Sequence, residues 1–189
     1  MNPVTHTLIS WDLANVSDLN RKDRILVAYS GIIPDVDGLG IIVELITRNT
    51  DNPRLWFSRY HHLLGHNLLA ALIVSLFIYL MANKRIKTAV MSFMVFHIHL
   101  LSDILGAKAG TGYQWPIPYF APFNTELQIS WAGQWPLVSW QNFLITVFFL
   151  GLTMLIAVKK SRSVAEIISG RIDELVVDVI KKWYNKLGI

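Results

Sequence analysis

The chain has 189 residues, of which 53% are hydrophobic and 16% charged, with a formal net charge of +4 and no cysteine. Ordinary globular domains carry roughly 25% charged residues, so this composition excludes a typical water-soluble domain. The absent thiols exclude disulfides and Cys-ligated zinc, and the modest positive charge does not point to nucleic acid.

From the start, MNPVTHTLISWDLANVSDLNRKDR has no basic run followed by an apolar core, so no cleavable signal peptide is expected. Residues 25–46, ILVAYSGIIPDVDGLGIIVELI, are apolar but broken by Pro34 and three glycines, with Asp35 and Asp37 at the centre. Either this is a surface loop between two short helices or it is a broken span. A break at membrane depth survives only where it is buried in protein or lines a polar cavity. The clearest spans are about 64–82, about 87–105 and about 141–158, since no charged residue falls between Arg59 and Lys84 or from Leu127 to Val158. Runs of about 20 apolar residues suit a bilayer. Lys84, Arg85 and Lys87 separate the first two spans, and Lys159, Lys160 and Arg162 follow the third. The positive-inside rule puts both clusters in the cytoplasm and the tryptophan-rich stretch 106–140 outside.

From Ser163 the apolar residues Val164, Ile167, Ile168, Ile172, Leu175, Val176, Val179, Ile180 and Trp183 recur at helical spacing. Ser163 with Glu166 reads as a capping box and Gly188 as a C-cap. An amphipathic helix over 163–187 would lie on membrane lipid, or pack on a protein partner or a second copy. The expected fold is an all-α, polytopic membrane bundle. It would have a membrane-embedded metal-site domain over 1–160, with three or four membrane helices, and an amphipathic tail over 161–189.

Titratable groups concentrate at one depth. In the span at about 87–105, His99 and Asp103 sit four apart and share a helical face. His97 lies about 200° around the helix from His99 and faces elsewhere. Asp103 ends an uncharged run, where a carboxylate is expensive and marks a site or a partner. Asp35 and Asp37 align if the backbone is extended, as Pro34 and Gly38 favour, and two carboxylates side by side repel unless a cation lies between them. Helical spacing pairs His62 with His66, whereas His61 converges with His66 only if it precedes the helix. An antiparallel hairpin of the first two clear spans brings His66 to the depth of His99 and Asp103. Imidazoles and carboxylates without thiols suit a divalent metal: zinc first, then manganese or iron.

The ordered set "THTL" with His6, "PDVD" at 34–37, "HHLLGH" at 61–66, "HLLSD" at 99–103 and "GTGYQWP" at 110–116 resembles the membrane-bound metal-dependent hydrolases of bacterial and archaeal inner membranes. The match covers about residues 1–120. It departs from the family pattern at His62-Leu63 and at Gly65-His66-Asn67, where the family usually has Arg-Gly and Thr-His-Ser. The resemblance implies hydrolysis by a metal-activated water, with a ligand set similar to zinc-dependent phospholipase C: His6, Asp35, Asp37, His61, His66, His99 and Asp103. It favours His61 over His62, with Asp35 or Asp37 as the alternative catalytic base. It further implies a multi-pass inner-membrane enzyme acting at the outer face on a phosphoester or lipid-like substrate. Two other classes fit the residues. One is a transporter or channel with an intramembrane His/Asp ion site, against which the polar groups gather at one depth. The other is a non-catalytic scaffold with a closed structural metal.

Overall fold

The computed structural model describes residues 1–61, 63–109 and 112–188. His62, the alternative ligand, and Gly110 and Thr111 of the glycine-rich stretch lie outside the described residues. The described residues form helices, turns and two isolated bridges, Lys108 with Pro136 and Ile117 with Ile129, and no strand. The expected all-α membrane bundle is therefore the observed class.

Helix α1 spans Pro3–Ala14 and starts at Asn2, whose side chain accepts from Thr5 N. Helix α2, Arg21–Ser30, starts in the same way at Asn20, which takes Asp23 N. Side-chain oxygens here satisfy amides that a first helical turn leaves unpaired. A 3-10 segment, Ile33–Leu39, follows and leads into the short α3, Gly40–Thr47. The arms before and after the break are bent from one another by 54°. No residue of α3 is buried, although Ile41, Ile42, Val43, Leu45 and Ile46 are apolar. Helix α4 is the single turn Trp56–Tyr60.

Helix α5 spans Leu68–Met81, which corrects the expected span of about 64–82. Asn67 caps it by accepting from Ala70 N while its Nδ2 donates to the carbonyls of Leu63 and Leu64, so the residues before it form a turn. At 1.5 Å per residue α5 is about 21 Å long, short of the roughly 30 Å of a hydrocarbon core. Helix α6, Arg85–Gly106, and helix α7, Trp140–Lys160, are long and apolar enough to cross. Counting the bent pair as one span gives up to three among the described residues, where three or four were expected.

Asp23 anchors the start of α6 by accepting from Asn83 N and Lys84 N, a carboxylate at the positive end of a helix. Helices α5 and α6 form the antiparallel hairpin. Helices α1 and α7 run parallel: Thr5 Oγ1 meets Thr146 Oγ1 at 2.6 Å, Thr153 Oγ1 donates to Asp12, and Lys160 Nζ donates to Asn15 O. Trp11, Ala28 and Ile156 make a core cluster against which Val164 and Ile167 pack.

That packing changes the expected tail. Instead of one helix from 163, a 3-10 turn Val164–Ile167 precedes α8, Gly170–Leu187, which is capped by Ser169. Ser163 and Glu166 do not form the reciprocal box. Glu166 is buried and takes Arg24 at 2.9 and 2.6 Å and Trp11 Nε1 at 2.8 Å, while Ser163 donates to Asp173. Gly188 ends α8 at φ +68°, as its glycine allows. Leu175, Val179 and Trp183 leave an exposed apolar face on α8.

Candidate metal centre

The cluster is built from three places in the chain. Near the end of α6, His99 and Asp103 project from one face, both buried. Gly31, just past α2, fixes the His99 ring: its carbonyl oxygen lies 2.8 Å from Nδ1 and can only accept. Nδ1 therefore carries the proton, and Nε2 presents its lone pair to the interior of the site. A Cβ at Gly31 would collide with Ser10 on α1 and Val95 on α6, so only glycine lets this carbonyl come so close to α6.

His66 reaches the same point from the turn before α5, and its Nε2 lies 3.2 Å from His99 Nε2. Asp103 Oδ2 is 3.1 Å from His99 Nε2 and 3.4 Å from His66 Nε2. It makes no hydrogen bond among the described residues although it is buried. Asp35 Oδ1 closes the group from the 3-10 segment, 3.6 and 3.7 Å from the same two nitrogens. All four donor atoms lie within 4.8 Å of one another. Four donors bound tetrahedrally at about 2.0–2.1 Å from a zinc ion stand about 3.3–3.4 Å apart, so the imidazoles and Asp103 already have that spacing. Two carboxylates and two neutral imidazoles also match a divalent cation in charge. Without a cation, carboxylates held this close in an apolar bundle would repel at high cost.

The remaining sequence candidates surround this group rather than joining it. Asp35 and Asp37 are not on an extended stretch. They lie on 3-10 backbone, where two residues apart means roughly 240° around the axis. Asp37 therefore turns to His61 Nδ1 at 2.8 Å and Gly65 N at 3.0 Å, and stays 3.9 Å from His66 Nδ1. His61 caps the end of α4 in extended conformation, with its ring 5.5 Å from the His66 ring. His6 stacks on His99 at 3.8 Å and donates from Nε2 to Asp103 Oδ1 at 3.0 Å, beside the Met1 ammonium. His97 points away, bonded to Phe93 O and the Tyr119 hydroxyl.

Three contributors were not among the candidate site residues of the sequence: the Gly31 carbonyl, Gly65 and Gln134. A Cβ on Gly65 would collide with Pro34 O, so the turn and the 3-10 segment touch backbone to backbone. Gln134 is buried, donating to Asp103 O at 2.8 Å and accepting from Trp115 N at 2.9 Å. The repeated "QWP" at 114–116 and 134–136 was the available hint. Beside the cluster, a cavity of about 350 Å³ has Asp35, Asp103 and His61 on its wall together with Leu39, Phe57, Trp115 and Leu137. His61 and Trp115 also border a second cavity of about 400 Å³ that contains Ser58, Arg59, Thr125 and Gln128.

The family model of the YdjM inner membrane proteins matches residues 1–175. No curated protein and no solved structure matches the chain.

Proposed function

Because the chain belongs to the YdjM inner membrane protein family, we propose that it is a multi-pass inner-membrane hydrolase whose metal site, held by His66, His99 and Asp103 with Asp35 beside it, faces the external side. The orientation follows from the basic clusters at 84–87 and 159–162 being cytoplasmic. A divalent metal, zinc by donor set, would acidify a bound water and draw charge from a phosphoryl oxygen. Manganese and iron fit the same N/O donors.

One observation carries the catalytic reading over the scaffold reading. Three donor atoms stand 3.1–3.4 Å apart, whereas Asp35 stands back at 3.6–3.7 Å with its side chain 17% exposed. Three close protein ligands with a fourth position left for water are the catalytic pattern, and four equal ligands the structural one. Asp35 then stands where it can accept the proton of an attacking water. Asp37 holds His61 and the Gly65 turn, His6 donates a hydrogen bond to the other oxygen of Asp103, and Gly31 keeps the His99 lone pair aimed inward. Hydrolysis of a phosphoester, as the resemblance implies, uses all of these parts.

Metal content and hydrolysis of bis(4-nitrophenyl) phosphate by detergent-purified protein test this reading. His99→Ala should lose both bound metal and turnover, and His97→Ala should lose neither. Asp35→Ala discriminates between the two readings. Metal retained with turnover lost supports the catalytic site, whereas metal lost along with Asp35 supports a closed structural ion.

A further inference from the structure

We propose that the cavity beside the metal cluster receives the acyl-chain end of a membrane phospholipid, admitted sideways from the outer leaflet. This rests on the hydrolase reading and names its substrate class. The cavity carries the cluster's Asp35 and Asp103 on one side, where the Met1 ammonium pairs with Asp103. Met1, Asn2 and His61 also stand at the cluster's side, and the remaining walls, with Leu39, Phe57, Ala107, Trp115 and Leu137, are those of an apolar ligand site.

Two of those residues lie on its rim: Leu39 is 60% exposed and Leu137 is 42% exposed. From Leu39 the apolar surface runs directly into α3, where Ile42, Leu45 and Ile46 stand open. From Leu137 it runs through Val138, Trp140 and Phe143 onto α7, a helix long enough to cross a bilayer. An apolar surface of this extent on both sides of an opening is unfavourable in water and matched by hydrocarbon. The opening therefore lies between two lipid-facing elements. The second cavity, across His61 and Trp115, is mixed in character, and its Arg59, Ser58, Thr125 and Gln128 are available to a polar head. A phosphoester at the cluster would have its chains on the apolar side and its head group on the polar side.

The test uses full-length protein in vesicles of phosphatidylethanolamine and phosphatidylglycerol, doped with phosphatidylglycerol carrying a diazirine on one acyl chain. After irradiation, adducts are mapped by mass spectrometry and bound metal is measured in the same sample. Adducts are expected on peptides carrying Phe57, Trp115 or Leu137, in addition to those on the outer faces of α6 and α7. Leu39→Asp and, separately, Leu137→Asp put a charge on the rim without touching the cluster. Each should cut the cavity adducts by about tenfold, since an aspartate in a lipid path is costly, and leave the α7 adducts and the metal unchanged. Cavity adducts that are absent, or that neither variant reduces, overturn the inference. Metal present without cavity adducts removes the lipid inference alone. Cavity adducts on a protein that binds no metal remove the hydrolase reading and leave the lipid cavity standing.

Discussion

At the scale of single residues, the most consequential neighbour of the cluster has no side chain. Gly65 brings its backbone against Pro34, and this contact sets how far the 3-10 segment, with Asp35 and Asp37, stands from His66. Gly65→Ala should push those elements apart and lower metal affinity about 10-fold or more, as losing an outer-shell partner does; titration with zinc against a competing chelator would measure it. Protons compete with a metal for His66 Nε2: burial lowers the pKa of this imidazole, but Asp103 and Asp37 outweigh that and hold it up to about 9, so affinity should fall as pH drops below that value, and metal binding should release protons there. The same titration across pH checks the sign. His99 and Asp103 were legible in the sequence because they sit mid-helix, where a spacing of four has one geometric meaning. Asp35 and Asp37 were not, because an Asp-x-Asp reads alike on extended and 3-10 backbone, and only the latter sends the two carboxylates to different partners. Gly31 acts through its carbonyl, which no residue type announces.

Among the elements, α6 and α7 were readable from length and hydropathy alone. Helix α5 was not, because the apolar residues Leu63 and Leu64 extend its run while Asn67 starts the helix after them. The tail divides into two parts with different weights. Val164–Ile167 belongs to the core, and Glu166 there is paired with Arg24. Glu166→Ala leaves a buried guanidinium without its carboxylate and should cost about 3–5 kcal/mol, seen as a lower thermal midpoint in detergent. Helix α8 shares no residue with the cluster. Deleting 170–189 should leave bound metal unchanged, and loss of metal from the truncated, folded protein would show that α8 completes the site.

For the molecule as a whole, the chain contains no cysteine, so single cysteines report topology without background. Val138 is 95% exposed and Ile86 72% exposed. In intact cells an impermeant maleimide should label Val138→Cys and spare Ile86→Cys, and the reverse pattern would turn the bundle over. The parallel pairing of α1 with α7 sets a schedule for synthesis. Thr5 and Asp12 find Thr146 and Thr153 only when residues 141 positions later have been made. His6 rides on α1, which packs on α2 and α6 as well, so the layer that it adds over Asp103 and His99 gains its support from α7 only after that helix has been made. Closing so long a loop is slow and entropically costly. Until then the carboxylates of the half-built bundle lack one wall, and a ribosome-arrested chain ending before residue 140 should exchange its metal freely where the finished protein retains it.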